Sequence, residues 1–197
     1  MSVMSPSVAI RNAPEGSFVH VTRLPGTADA ARQAASRAAR SGELLRVRRG
    51  LYYRGAMTRY GMTGPRVEEV AREVLGEVGS GPAGYSAARE WAVTTQVPAS
   101  FHIATLWMMD RIAGVIQHRR RNKERMKLNA KEIALLELLR APDLYVEAGW
   151  DVLVERVGDA LARDEVHRDA LSAAVGGERN TVVRTSFDKL ITDLAAR

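Results

Sequence analysis

ELLRVRRGLYYR, residues 43–54, is the stretch that decides the fold of the first part of this chain. It alternates apolar and basic residues on both sides of a central Arg49-Gly50. Alternation with a period of two is typical of strands, and glycine accepts the positive φ that a tight hairpin turn requires. The stretch therefore predicts a two-stranded hairpin whose turn carries Arg48 and Arg49.

The run that precedes the hairpin, ADAARQAASRAAR at residues 28–40, is rich in alanine, which has the highest helix propensity. Thr27 is placed to cap the N-terminus of a helix, and Asp29 falls in its first turn, where the helix dipole favours a negative charge. Gly42 follows Ser41 as a stop signal. These features predict a helix from Ala28 to Arg40.

Helical spacing divides this predicted helix into two unlike faces. One face is small and apolar and consists of Ala31, Ala34, Ala35 and Ala38. The other face is polar and basic and consists of Asp29, Arg32, Gln33, Ser36, Arg37 and Arg40.

Further upstream, the sequence predicts a first short helix within residues 3–11, a short strand at residues 18–21 and a helical turn near Arg23. The order helix, strand, turn, basic helix and basic hairpin is that of a winged helix-turn-helix. In that motif the second helix enters the major groove, where arginine and glutamine bond base edges, and the hairpin lies on phosphates. The candidate DNA-binding residues are Arg23, Arg32, Gln33, Ser36, Arg37, Arg40, Arg46, Arg48 and Arg49.

A solvated amphipathic helix beside a polar hairpin, with no ligand, is the alternative interpretation of the same residues. DNA is favoured over RNA as the ligand, because the aromatic residues that stack on unpaired bases are few and unpatterned.

The charge is distributed unevenly along the chain. Of the formal net charge of +6, residues 1–60 contribute +7, from ten arginines against three acidic residues, so the rest of the chain sums to −1. A second basic cluster, residues 119–127, stands within that remainder. Its charges are interpreted either as a solvated face, or as a second phosphate contact or a surface for RNA or an acidic partner.

Composition sets wider limits on the class of protein. The chain has 197 residues, 46% of them hydrophobic and none of them cysteine, so disulfide frameworks and thiolate metal sites are excluded. The longest uncharged run, Trp91 to Met109, is too polar for a bilayer helix, and no secretory signal is visible. We expect a cytoplasmic protein that does not contact a membrane.

A change of composition after Tyr60 predicts two domains, residues 1–60 and residues 61–197. An amphipathic helix is expected from Val67 to Val78, and a leucine-rich helix after Asn129, which forms a capping pair with Glu132. Strands are expected at residues 101–107, 115–118 and 126–128, with helices around Tyr85–Trp91, Trp150–Leu161 and Val183–Leu194. The predicted fold class is α+β, a winged helix-turn-helix followed by a helix-rich α+β domain.

No catalytic pattern is convincing. Gly79, Gly81 and Gly84 match G-x-G-x-x-G but follow a predicted helix instead of a strand, which favours a turn. The four histidines have no metal-ligand spacing, and the three tryptophans occupy apolar positions typical of a core. Asp143 lacks the Glu-x-Lys partner of a nuclease centre. We expect no enzyme activity, no cofactor and no metal.

Three motifs, in this order along most of the chain, carry a family resemblance: SGELLRVRRGLYY at residues 41–53, GYSAA at 84–88 and TTQVP at 94–98. They resemble the AbiEi-type antitoxins of type IV toxin–antitoxin systems, including the actinobacterial forms. The resemblance implies an N-terminal winged helix that binds inverted repeats in the promoter of its own operon, with contacts from residues 32–40 and 46–49. It also implies a C-terminal domain that counteracts a nucleotidyltransferase-like toxin.

The function expected from the sequence is thus a DNA-binding autorepressor and antitoxin, monomeric in solution and present as two copies on promoter DNA. The alternative is a winged-helix transcription factor whose second domain senses a ligand or dimerises. An enzyme such as a nuclease ranks third.

Overall fold

The computed structural model describes residues 4–197, which form two compact units. The first unit ends at Val70 and the second runs from Ala71 to Arg197. The part of the chain between residues 4 and 197 contains nine α-helices and three small sheets, so the fold class is α+β, as predicted. Within these residues, no helix is both long enough and apolar enough to cross a bilayer.

The first unit is built from two helices and two small antiparallel sheets. In chain order its elements are α1 (Pro6–Asn12), β1 (Ser17–His20), a 3-10 turn (Val21–Arg23), α2 (Ala28–Arg40), β2 (Leu45–Arg48), β3 (Leu51–Arg54), β4 (Met57–Thr58) and β5 (Gly61–Met62). The larger sheet has the strand order β1-β3-β2, and β4 pairs with β5 in a separate ribbon.

The helix predicted over Ala28 to Arg40 is confirmed at both ends. The Thr27 hydroxyl accepts a hydrogen bond from the amide of Ala30 at 3.2 Å, and Gly42 has a φ of +79°, which favours glycine. The hairpin is confirmed as well, with Gly50 at a φ of +76° between β2 and β3. The first helix, predicted within residues 3–11, begins at Pro6 in the structure, and residue 3 lies outside the described residues.

The core of the first unit forms against the alanine face of α2. Ala34, Ala35 and Ala38 pack with side chains from α1, the strands and the loop after α2: Ile10, Val19, Leu44 and Tyr52. Because alanine side chains are short, α1 and the sheet can approach this helix closely. Both tyrosines of β3, Tyr52 and Tyr53, are buried, each with 8% of its surface exposed.

The second unit combines one sheet with most of the helices. Helix α3 (Val67–Leu75) begins before the boundary at Ala71 and continues into the second unit. The elements after it are β6 (Gly81–Pro82), α4 (Gly84–Glu90), β7 (Phe101–Thr105), β8 (Val115–Arg119), a 3-10 turn (Lys123–Lys127), α5 (Ala130–Leu138), α6 (Pro142–Tyr145), α7 (Trp150–Ala162), α8 (Arg168–Gly176) and α9 (Thr181–Ala195). In its sheet β7 pairs antiparallel with β6 and parallel with β8.

Helix α5 is the centre of the second core. It is buried from Glu132 to Leu138, and its apolar side chains pack with those of α4, α7, α8 and α9. The predicted capping pair is present: Asn129 Oδ1 accepts from the amide of Glu132 at 2.9 Å, and Glu132 Oε2 accepts from the amide of Asn129 at 2.8 Å. A helix that is apolar on nearly all sides is typical of a position inside a core.

Several predicted elements of the second unit differ from the structure. Helix α3 ends at Leu75 instead of reaching Val78, because Gly76 adopts a positive φ of +76°. Residues 126–128 do not form a strand, since the Asn122 side chain caps a 3-10 turn there by accepting from the amide of Glu124. Trp107 is 48% exposed and is not a core residue.

Candidate nucleic-acid interface

The polar face of α2 is presented to solvent. The predicted residues Arg32, Gln33, Ser36, Arg37 and Arg40 are all exposed, on the side of the helix opposite the buried alanines. Arg32 pairs with Asp29 one turn earlier, and Arg40 Nε donates to the Ser36 carbonyl at 3.4 Å. These contacts lie along the helix surface and leave the face open to a ligand.

The hairpin places its arginines at the end of the same unit's sheet. Arg46 is exposed on β2 opposite Tyr52, and Arg48 lies opposite Leu51, with a bulge between the two arginines that changes the register by one residue. Arg49 is exposed in the turn, and Arg23 is exposed at the end of the 3-10 turn before α2. All nine predicted residues thus belong to the first unit, and eight of them are exposed, with Arg48 partly covered.

Arg54 has a structural role that no local sequence pattern indicates. Its Nη1 donates to the carbonyl oxygens of Ile10, Arg11 and Ala13, which lie at the end of α1 and directly after it. These contacts join residues more than forty positions apart. One of the ten arginines before residue 60 therefore holds the helix end.

The basic cluster at residues 119–127 is not a uniformly solvated face. Arg125 is fully buried, with Nη1 donating to Glu137 and Nε donating to Glu178, each at 2.7 Å. Arg120 also donates to Glu137, and Arg140 donates to Glu178 at 3.3 Å. By contrast, Arg119, Arg121, Lys123 and Lys127 are exposed.

Glu137 is the acceptor that organises this buried network. Burial by itself would raise the pKa of Glu137, but the hydrogen bond from Arg120 and the charge of Arg125 outweigh burial, and the net shift is downward. An acidic residue flanked by two leucines, Leu136 and Leu138, is the sequence signal that predicts such a partner.

Two of the four histidines, which the sequence left scattered, lie side by side in the structure. Nδ1 of His102 on β7 and Nε2 of His118 on β8 are 3.0 Å apart, and the rings are stacked. Burial, the charge of Arg120 and the neighbouring His102 lower the pKa of His118. Within residues 4–197 no group of three or more His, Cys, Asp or Glu side chains is arranged to hold a metal ion.

The glycine-rich segment has a packing role. A Cβ on Gly81 would lie 2.6 Å from the carbonyl oxygen of Ala130 and 2.8 Å from Cβ of Ile133. Glycine therefore lets β6 approach the start of α5 closely. The turn predicted at residues 79–84 contains the short strand β6, and Gly84 is the first residue of α4.

Neither a family model nor a curated protein matches the chain. Among solved structures, the chain is similar to the crystal structure of the RV2827C protein from Mycobacterium tuberculosis, with a TM-score of 0.54 and 17% sequence identity. The similarity covers 95% of this chain and 74% of that chain. At this level of identity the two proteins share a fold.

Proposed function

We propose that the first unit is a winged helix-turn-helix that binds double-stranded DNA. In this proposal α2 is the recognition helix and β2 with β3 is the wing. The order of α1, the 3-10 turn, α2 and the hairpin supports this proposal. In such a motif the preceding helical elements pack against the recognition helix, which enters the major groove.

The observation that carries the proposal is the separation of the two faces of α2. Four alanines are buried on one side, and arginine, glutamine and serine are exposed on the other. Arginine bonds guanine and glutamine bonds adenine through paired hydrogen bonds, so Arg32, Gln33 and Arg37 would contact base edges. Arg23, Ser36 and Arg40 would contact the flanking backbone.

The hairpin arginines would bind phosphates. Arg46, Arg48 and Arg49 lie on or beside one turn, and the charge of +7 over residues 1–60 suits a polyanion. An inverted repeat presents two equivalent half-sites, so we propose that two copies of the chain bind one operator.

We further propose that the protein represses its own operon and acts as the antitoxin of a type IV toxin–antitoxin system. The support for this step is the resemblance of residues 41–53, 84–88 and 94–98 to AbiEi-type antitoxins. The second unit would counteract a nucleotidyltransferase-like toxin.

The test uses the full chain and the gene beside its own. Purified protein is titrated against the promoter DNA upstream of its gene and against the same DNA with one arm of the inverted repeat scrambled. We expect preferential binding to the intact repeat. The neighbouring toxin gene is then expressed with and without this chain, and we expect growth to recover only with it.

A transcription factor whose second domain senses a ligand is the second candidate. It is favoured by an apolar-lined groove of about 730 Å³ in the second unit, between β6, β7 and the start of α5. Sequence-specific DNA binding without any growth recovery would favour this candidate over the antitoxin.

A further inference from the structure

We infer that the second unit contains a binding site for a ligand that carries several phosphate groups. The site is a cavity of about 430 Å³ between residues 119–124, at the end of β8 and directly after it, and residues 177–180, which join α8 to α9. Arg140, after α5, completes its lining. This volume lies in the range of small-ligand sites.

The lining of the cavity has a large excess of positive charge. It includes six cations, and its carboxylates are those of Glu124 and Glu178. Both carboxylates already have cationic partners, because Lys127 donates to Glu124 at 2.7 Å and Arg125 donates to Glu178 at 2.7 Å. The positive charge is therefore not neutralised by the lining itself.

Four of these cations have no acidic partner among residues 4–197 and are exposed: Arg119, Arg121, Lys123 and Arg179. Arginine side chains bind phosphate oxygens through paired, charge-assisted hydrogen bonds. Their convergence on a concave surface is what distinguishes this cluster from scattered surface arginines.

The buried network behind the cavity does not offset this excess, because its further members, Arg125 and Glu137, carry opposite charges. Three guanidinium groups, those of Arg120, Arg125 and Arg140, share the two carboxylates of Glu137 and Glu178. The buried Nη2 of Arg125 has no hydrogen-bond partner in the described part of the chain. Burial lowers the pKa of Arg140, and the charges of Arg120 and Arg125 lower it further, against the opposite effect of Glu137 and Glu178.

The two walls of the cavity are held together without a ligand. Asn122 Nδ2 donates to the Ala174 carbonyl at 2.7 Å and to Glu178 at 3.0 Å, which ties residues 119–124 to the end of α8. Asn180, which caps the fifteen-residue helix α9, also lines the cavity, so the positive end of that helix dipole borders it. The two backbone segments that form the walls are therefore in place before a ligand binds, which limits the entropy that the walls lose on binding.

The phosphate chemistry has two sources, a nucleoside triphosphate or the phosphodiester backbone of a nucleic acid. The first probe is inorganic tripolyphosphate, titrated calorimetrically into the full chain at 0.15 M salt. ATP and a single-stranded tetranucleotide are then tested as competitors. Displacement by ATP alone assigns the site to nucleotides, and displacement by the tetranucleotide alone assigns it to a nucleic-acid backbone.

The decisive variant is Arg121→Gln/Arg179→Gln, which removes two exposed cations and leaves the buried network intact. We expect tripolyphosphate affinity to fall by more than about tenfold. The matched control, Arg156→Gln/Arg168→Gln, removes two exposed charges of the same unit that lie outside the cavity lining. We expect the control to stay within about twofold of the original chain, since distant exposed charges are screened.

A second control, Arg48→Gln/Arg49→Gln, tests the hairpin of the first unit, and we expect tripolyphosphate binding to persist. The inference is overturned if the original chain does not bind tripolyphosphate, or if both second-unit variants lose affinity equally. It is also overturned if the loss follows the hairpin variant, or if hexa-aspartate binds as tightly as tripolyphosphate.

Discussion

Arg125 and Glu137 form an ion pair inside the second unit, with 2.7 Å between Nη1 and Oε1 and both side chains at most 2% exposed. Arg120 donates to the second oxygen of the same carboxylate. A buried ion pair contributes little over an apolar pair, but removal of one partner leaves an uncompensated charge in the core. This asymmetry makes Glu137 a sensitive position for mutation.

Glu137→Gln is expected to lower the free energy of unfolding by about 3–5 kcal/mol, because Arg125 and Arg120 would lose their anionic partner. Urea denaturation of the two proteins measures the difference. Glu155→Gln makes the same chemical change on the exposed face of α7 and is expected to change stability by less than about 0.5 kcal/mol. Similar effects from both substitutions would contradict the role assigned to the buried pair.

Gly81→Ala is expected to destabilise the protein by about 1–3 kcal/mol, because the new methyl group would overlap the backbone of Ala130 and the side chain of Ile133. Gly176→Ala, at the end of α8, meets nothing within 4 Å and is expected to be neutral or to stabilise by up to about 1 kcal/mol. Thermal unfolding of both variants provides the comparison. A tolerated alanine at position 81 would show that β6 and α5 can separate at low cost.

The pKa values of His118 and His167 are expected to shift in opposite directions from the ordinary histidine value. Burial, then Arg120 and His102, lower the pKa of His118, whereas the hydrogen bond to Glu132 raises the pKa of His167. NMR titration of the imidazole signals, assigned with His118→Gln and His167→Gln, measures both values.

The same shifts have opposite consequences for stability. As pH falls below 6.5, the unfolded chain takes up a proton at His118 before the folded chain does, so His118 reduces stability in that range. His167 binds its proton more tightly in the folded state, so its contribution is complete below 6.5 and is lost as pH rises through its folded pKa. A lower pKa for His167 than for His118 would contradict both environments.

The proposed division of labour on DNA predicts two kinds of defect. Arg37→Ala should weaken operator binding by about 1–3 kcal/mol and relax base preference at one position. Arg48→Ala/Arg49→Ala should weaken binding to all sequences and reduce the salt dependence by about one unit for each lost phosphate contact. Binding titrations at several salt concentrations, on operator and scrambled DNA, separate the two. An equal loss of base preference from both variants would refute the assignment.

A fragment from Gly61 to Arg197 tests whether the two proposed activities separate. It keeps helix α3 whole, so Ala71 and Leu75 can still pack against β7. We expect the fragment to fold, to lose operator binding and to restore growth when it is expressed with the neighbouring toxin gene. Circular dichroism and a growth assay measure these outcomes.

Two further results would alter this assignment. A folded fragment that fails to restore growth would show that neutralisation needs the first unit or acts only through repression. If the fragment binds any DNA weakly and loses this binding at moderate salt, the exposed cations near residues 119–123 account for the binding. If the fragment keeps full operator preference, the assignment of operator binding to the first unit is wrong.

The residues around α2 and the hairpin show how much of the fold follows from the sequence. The alanine spacing, the Thr27 cap, and Gly42 and Gly50 at positive φ are signals that act within a few positions of the chain. Such signals determine local elements because helical and strand periods repeat within one or two turns of backbone. The exposed face of α2 was therefore predictable residue by residue.

Pairs of residues that are distant in sequence show what only the tertiary structure decided. Arg125 meets Glu178 across 53 positions, His102 meets His118 across 16, and Arg54 reaches the end of α1 from another element. No local pattern encodes these pairs, because each depends on which elements the core brings together. The division of the 119–127 cluster into buried ion pairs and exposed cations arises in the same way: a buried carboxylate on α5 requires a cation, and packing selects which one it receives.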